Sequence, residues 1–157
     1  MNTTINDFIP ASTEQTSLAD RFILTQVERQ TLVFPATWVA EILRIDRSQI
    51  LNLPFYDSLL VGIVNYNGQM TPLIAAAKLL DLEQFVVPER VMLVRLTQAA
   101  GQLENVGIIV DRAVGSSTRA ELPLELFTTN RSGAMAMMRS QLVPTSLWQP
   151  QYWSVNN

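Results

Sequence analysis

Apolar residues fall into short blocks rich in Val, Ile, Leu and Phe, which are separated by polar residues, Gly or Pro. Blocks of about four to eight residues bounded by turn residues are typical of β-strands, because helices show longer periodic runs. The pattern predicts strands at residues 22–27, 31–34, 61–66, 69–74, 91–96 and 106–115. The chain is therefore predicted to be mainly β.

The clearest local signal is the pair Asn67-Gly68, which joins two of these blocks. Both positions of a two-residue type I′ turn need positive φ, which Asn and Gly tolerate best. The pattern predicts a β-hairpin over residues 61–74. Because both arms carry almost no charge, we expect both to be buried and to lie centrally in a sheet or barrel.

Three other segments complete the predicted elements. The apolar residues of segment 37–45 match either a short helix or a kinked strand, and we favour a turn followed by a strand. Pro35 has no backbone N–H to donate, so it should end the preceding strand or place it on an edge. Good helix formers and a stripe of leucines predict one short helix within residues 75–82.

Two β-rich blocks flank this predicted helix, which indicates two small β lobes whose inner faces share one core. A length of 157 residues suits one ordinary domain or two such lobes, and no more. We divide the chain into a flexible leader at residues 1–19, a domain at 20–145 whose lobes separate near 75–90, and an aromatic tail at 146–157.

Composition removes several classes of function. The chain has no cysteine and no histidine, which excludes thiolate nucleophiles, zinc–thiolate sites and the usual general base near neutral pH. The formal net charge is −3 and Lys78 is the single lysine, so we expect no basic face that binds nucleic acid. No catalytic, cofactor-binding or metal-binding residue is predicted.

The N-terminal residues and the length of the apolar runs predict the cellular location. The N-terminal residues lack the basic segment of a secretory signal. No uncharged run approaches the roughly eighteen residues that a membrane-spanning helix needs. We therefore expect a cytoplasmic protein without membrane insertion.

Asp111 and Arg112 lie side by side within an apolar block. A buried carboxyl beside a guanidinium could act as an acid or base, whereas a charged pair at a strand end is commonly structural. The alternative function is therefore a small-ligand binder or an enzyme, built on a β-barrel, that uses Asp111 and Arg112.

The hairpin belongs to a longer pattern. Residues 62–68, Gly-Ile-Val-Asn-Tyr-Asn-Gly, followed by Pro72, resemble the motif G-(V/I)-x-N-x-R-G-x-(I/V)-x-P of CheW-like domains, the chemotaxis coupling proteins. Residues 39–42 and 106–113 resemble two more motifs of that family, V-x-E-I and V-G-(I/L)-x-V-D-x-V. The resemblance covers roughly residues 21–124 and places three motifs in the family order.

This resemblance implies two five-stranded, SH3-like β-barrel lobes around a shared core, with one or two short helices, and a non-enzymatic adaptor that needs no cofactor. Such an adaptor couples the regulatory domain of a CheA-type histidine kinase to the cytoplasmic tip of a chemoreceptor, in chemotaxis, phototaxis or pilus-motility signalling. Coupling of this kind requires contacts that differ between two receptor states and no reactive group.

The resemblance also assigns candidate partner-binding residues, which are Val39, Glu41, Gly62, Asn65, Asn67 and Gly68. Val39 and Glu41 fall where the family contacts its partners, and the hairpin residues border the receptor groove. Asn67 stands where the family motif has Arg, and Ala75 stands where it has Asp. This chain therefore departs from the family pattern by two charges of opposite sign.

Overall fold

The computed structural model describes residues 18–82 and 85–151. Within these residues, ten strands form two five-stranded sheets. The first sheet contains β1 (Arg21–Val27), β2 (Gln30–Pro35), β8 (Arg112–Thr118), β9 (Arg131–Ser132) and β10 (Met135–Met137). The second sheet contains β3 (Val39–Asp46), β4 (Leu60–Tyr66), β5 (Gln69–Ala75), β6 (Arg90–Leu96) and β7 (Gly107–Val110).

The helices are short. α1 (Ala76–Leu79) and α2 (Glu125–Thr128) are α-helices of four residues each. Short 3-10 segments occupy Ala36–Trp38, Arg47–Gln49, Gln98–Leu103, Arg119–Glu121, Ser140–Leu142 and Thr145–Trp148. The mainly β fold with few short helices is confirmed, and α1 lies within the segment predicted to be helical. No helix among the described residues has the length and apolar character to cross a membrane.

The two sheets do not correspond to consecutive halves of the chain. The strand orders are β8-β1-β2-β10-β9 and β3-β6-β7-β5-β4. The first sheet therefore combines strands from both ends of the described chain, and the second is built from the middle. Residues 75–90, where we placed the boundary between lobes, connect two strands of the second sheet and do not separate the lobes.

The block at 106–115, predicted as one strand, is two strands in different sheets. Asp111 lies between β7 and β8, at the point where the chain passes from the second sheet to the first. Its N–H donates to the carbonyl of Gln26 at 2.9 Å, and its carboxylate Oδ2 accepts the N–H of Glu28 at 2.6 Å. The apolar run hides this crossing because hydrophobic periodicity does not report a change of sheet.

The predicted hairpin is confirmed, with Tyr66 paired to Gln69 across the turn. Asn67 and Gly68 have φ values of 52° and 82°, as a type I′ turn requires. The expectation that both arms are central is wrong for β4, which forms an edge of its sheet, whereas β5 lies between β4 and β7. β4 lacks charge because Leu60, Gly62 and Val64 alternate onto a buried face.

The buried apolar residues of the described chain form three clusters. One cluster joins both sheets, and includes Leu32 and Phe34 of β2 with Val94 of β6. A second lies inside the second sheet and contains Leu93, and a third lies against the first sheet and contains Val33. Neighbouring residues on β2 and β6 therefore point into different clusters, so these strands are buried on both faces. The predicted shared core is present.

Pro35 and residues 37–45 follow the local predictions. β2 ends at Pro35, and a 3-10 turn leads into β3, which is the arrangement that we favoured for residues 37–45. The predicted leader at 1–19 lies almost entirely outside the described residues. In the predicted tail, Leu147 is buried and Trp148 packs against the shared core. Residues 152–157 of that tail lie outside the described chain.

The shared core makes a direct prediction about stability. Leu32 is 0% exposed and Leu124 is 74% exposed, so the same truncation can be compared at a buried and a surface site. Leu32→Ala should lower the free energy of unfolding by about 2–5 kcal/mol. Leu124→Ala should change it by less than about 0.5 kcal/mol. Urea unfolding followed by circular dichroism measures both, and equal losses would contradict the assignment of Leu32 to the core.

Candidate functional site

Five polar side chains form a cluster at one end of the second sheet, which we call the barrel-mouth cluster. They are Glu41 on β3, Tyr66 on β4, Thr71 on β5, Arg95 on β6 and Asn105 before β7. The contacts between them link all five strands of that sheet, either directly or through the residue that precedes β7.

The centre of this cluster is an ion pair between Glu41 and Arg95, which occupy directly paired positions on β3 and β6. Nε and Nη2 of Arg95 both donate to Oε2 of Glu41, at 3.0 and 2.5 Å. The Tyr66 hydroxyl donates to Oε1 of Glu41 at 3.0 Å, and the Arg95 guanidinium lies 5.6 Å from the centre of the Tyr66 ring. Both carboxylate oxygens of Glu41 are therefore occupied.

Asn105 extends the cluster toward the hairpin. Its Oδ1 lies 3.3 Å from both Nη1 of Arg95 and the Thr71 hydroxyl, which donate to it. Its Nδ2 donates to the carbonyl of Met70 at 3.3 Å. The amide thus joins β6 to β5, while the Tyr66–Glu41 hydrogen bond joins the two edge strands, β4 and β3.

Strand alternation explains why these residues meet. Side chains two residues apart on a strand lie on the same face. Glu41 shares a face with Leu43, and Arg95 shares one with Leu93, both of which belong to or pack against the apolar interior of the second sheet. Thr71 likewise shares a face with Leu73, which belongs to the same apolar interior. The polar cluster therefore continues the interior of the barrel and covers it at one end.

The electrostatics of the cluster follow from these contacts. The hydrogen bonds from Arg95 lower the pKa of Glu41, partial burial opposes this effect, and the Tyr66 hydroxyl lowers the pKa further. Donation to the Glu41 carboxylate raises the pKa of Tyr66, and burial adds to that increase. Glu41 is therefore ionised and Tyr66 neutral near neutral pH, as a stable ion pair with one phenol donor requires.

Four of the predicted partner-binding residues lie around Tyr66. The Glu41 carboxylate accepts a hydrogen bond from the Tyr66 hydroxyl, and Asn65, Asn67 and Gly68 lie close to Tyr66 in the hairpin sequence. The Asn65 Oδ1 accepts the N–H of Gly68 at 3.0 Å, so this asparagine stabilises the turn. Asn65, Asn67 and Gly68 are exposed. The hairpin turn and the barrel-mouth cluster thus form one continuous surface.

The other two predicted residues, Val39 and Gly62, lie elsewhere. The pairing of β3 with β6 shifts register between Val39 and Glu41, and Val39 packs against the shared core. Gly62 is buried, and a Cβ atom there would lie 2.5 Å from the carbonyl oxygen of Leu51. This close approach accompanies a β-bridge between Leu51 and Ile63. The absence of a side chain at Gly62 therefore has a steric reason within the fold.

Asp111 and Arg112, the residues of the alternative function, are both exposed. The Asp111 carboxylate accepts the N–H of Glu28 and so supports the crossing between the sheets. In the part of the chain that the structure describes, no group of three or more His, Cys, Asp or Glu residues could hold a metal ion. The geometry therefore gives Asp111 a structural contact at this crossing.

Comparison with known proteins gives one family. The family model described as "CheW-like domain" matches residues 21–136, which is most of the chain. The chain belongs to the CheW-like domain family. A search of curated proteins found no match.

A solved structure supports the fold of this CheW-like domain. The scaffolding protein TtCheW from Thermoanaerobacter tengcongensis superposes with a TM-score of 0.52 at 17% sequence identity. The match covers 64% of this chain and 65% of the TtCheW chain. About a third of the TtCheW chain therefore has no counterpart in this protein. The two five-stranded sheets described above match its architecture of two SH3-like lobes.

The two departures from the family motif differ in their surroundings. Asn67 is exposed in the hairpin turn and has positive φ, a conformation that Asn adopts more readily than Arg. Ala75 is 0% exposed at the end of β5, so an Asp at this position would bury a carboxylate. The departure at Ala75 therefore belongs to the interior of this domain, and the departure at Asn67 alters its surface.

Sequence reasoning did not identify Thr71, Arg95 and Asn105 as members of the barrel-mouth cluster. A signal was present for Arg95, which is the one charged residue within the apolar block 91–96. A lone charge in a buried strand needs a partner of opposite charge. The register that pairs β3 with β6 was needed to identify that partner.

The pair at the barrel mouth should couple more strongly than an exposed pair in the same two strands. Arg90 and Asp46 provide the control, since they are 3.4 Å apart with side chains 72% and 62% exposed, against 22% and 33% for Arg95 and Glu41. A double-mutant cycle with Asp46→Asn and Arg90→Met should give a coupling free energy of about 0–1 kcal/mol. A cycle with Glu41→Gln and Arg95→Met, measured by urea unfolding, should give a larger coupling free energy. Equal coupling energies would show that the cluster does not stabilise the barrel.

The lowered pKa of Glu41 predicts a dependence of stability on pH. A carboxyl whose pKa is lower in the folded state stabilises the fold above its unfolded pKa, and this contribution is lost as pH falls through the folded value. The difference in unfolding free energy between wild type and Glu41→Gln should be constant near neutral pH and shrink in acid. Urea titrations between about pH 7 and pH 3 measure it. Glu104→Gln, at an exposed glutamate, is the control; a constant difference for Glu41→Gln would refute the prediction.

Proposed function

We propose that this chain is a non-enzymatic scaffolding adaptor of the cytoplasm. It couples the regulatory domain of a CheA-type histidine kinase to the cytoplasmic tip of a chemoreceptor, in chemotaxis, phototaxis or pilus-motility signalling. The observation that carries the proposal is the CheW-like family match over residues 21–136. The description of TtCheW as a scaffolding protein supports it further. The match covers 65% of that protein, so the partners are assigned by similarity.

The surface at the barrel mouth suits contact with a protein partner. It combines the exposed hairpin turn at Asn67 and Gly68 with the partly exposed carboxylate of Glu41. On the outer face of the neighbouring edge strand β3, Ala40 is exposed and Ile42 is 38% exposed. Polar groups around exposed apolar positions are typical of transient protein interfaces. We assign receptor contact to the hairpin turn and partner contact to β3 with Val39 and Glu41.

The barrel-mouth cluster provides a mechanical link between these two assigned contacts. The Tyr66–Glu41 hydrogen bond joins the strand that leads into the hairpin turn to β3. A partner that binds the turn in one state and not in another can therefore affect the position of β3 without any chemical step. Adaptor function requires this kind of differential contact between two sites. The Glu41 carboxylate has a structural role in the proposal as well as a place on the surface.

The proposal is tested first by direct binding. The full chain should retain a purified CheA-type kinase regulatory domain in a pull-down and, added together with that domain, should sediment with membranes containing a chemoreceptor. Absence of kinase-domain binding at high protein concentration would refute the adaptor function. Sedimentation with the receptor in the absence of kinase separates the two contacts.

A substitution in the turn tests the assignment of the receptor contact. Asn67→Arg adds a charge to the exposed turn and should change the fraction of the chain that sediments with receptor membranes, while binding of the kinase domain persists. Gln141→Arg adds the same charge at an exposed position outside both assigned contacts and should change neither. If Asn67→Arg leaves receptor binding unchanged, the turn has a structural role only.

A further inference from the structure

A surface hollow at the junction of the two sheets is lined by three arginines. Its volume is about 210 Å³, and it is bounded by Arg44, Arg90, Val91, Met92, Asp111 and Arg112. These residues come from β3, from β6 and from the crossing between β7 and β8. The hollow thus gathers three of the ten arginines of a chain whose net charge is −3.

Register explains why the arginines converge. Arg44 pairs with Met92, and Met92 pairs with Val110 in the next strand, so these residues form a row across the sheet. Neighbouring strands lie about 4.8 Å apart, which places the two ends of this row about 10 Å apart. Arg112 follows Val110 by two residues at the far end. Two long basic side chains therefore flank the half-buried Met92.

Two acidic groups near the hollow make contacts within the fold. The carboxylate of Asp111 accepts the N–H of Glu28, and Asp46 pairs with Arg90 at 3.4 Å. Among the described residues, Arg44 and Arg112 make no ion pair within 4.0 Å. Their charges are available to a ligand, and Arg side chains bind carboxylates through paired hydrogen bonds.

We propose that this hollow binds an acidic side chain, Glu or Asp, from an extended segment of a partner protein. The charge of Arg44 and Arg112 selects a carboxylate. The half-buried Met92 contacts the methylene groups of such a side chain, whereas inorganic phosphate has none. The backbone at Asp111, next to Arg112, is held by hydrogen bonds to Gln26 of β1 and Glu28 of the β1–β2 turn, which limits the backbone rearrangement that binding requires. This proposal does not depend on the adaptor function.

The experiment uses the full chain and a synthetic peptide in which two glutamates alternate with serine and glycine. Binding is measured at low salt by isothermal titration calorimetry, and NMR of the Arg side-chain Nε–H groups locates the contact. The peptide should shift the resonances of Arg44 and Arg112 in the wild-type chain, and the same peptide with glutamine in place of glutamate should not. A lack of shift at these two arginines would overturn the proposal, without bearing on kinase or receptor binding.

Variants separate the hollow from general charge effects. Arg44→Gln combined with Arg112→Gln should weaken binding of the glutamate peptide by about tenfold or more, since two charge-assisted hydrogen-bonding groups are lost. Arg21→Gln combined with Arg131→Gln removes the same charge at exposed sites in the first sheet and should change affinity by less than about twofold. Equal losses of affinity for the glutamate peptide in the two double variants would overturn the proposal. Binding of inorganic phosphate as tightly as the peptide would also overturn it, in favour of a site for small free anions.

Discussion

The fold depends on one constraint: β2 and β6 must bury side chains on both faces. On β6, Leu93 points into the interior of the second sheet, and the adjacent Val94 points into the core shared with the first sheet. β2 repeats this arrangement with Val33 and Phe34. Each lobe is therefore packed against the other through the same strands that form its own interior, and neither lobe has a complete core alone.

The interior of the second sheet ends in polar groups, and this has consequences for function. Glu41 and Arg95 continue the rows of interior side chains to the barrel mouth, where a charge without a partner would be costly. They satisfy each other, and Tyr66 and Asn105 complete the hydrogen bonds. The same groups adjoin the hairpin turn. A residue that family resemblance marks for partner contact is thus also one that closes the barrel, so its substitution affects both stability and surface.

Several sequence predictions hold because their signals are local. The turn at Asn67-Gly68 needs positive φ at two adjacent residues, and this requirement is independent of the rest of the chain. Pro35 ends β2 for an equally local reason, its missing N–H. A prediction about the position of one strand, which required knowledge of distant neighbours, did not hold. The absence of charge in β4 indicated a central strand, but β4 is an edge strand buried on one face.

The sequence by itself determined the β class, the hairpin and, through three ordered motifs, the resemblance to the CheW-like family that residues 21–136 confirm. Only the tertiary structure decided that the apolar block at 106–115 divides at Asp111 between two sheets. It also decided that Glu41 pairs with Arg95, 54 residues away, and that Gly62 is required by the approach of Leu51. The reason is physical: turn geometry depends on adjacent residues, whereas strand register and steric contact depend on residues that folding alone brings together.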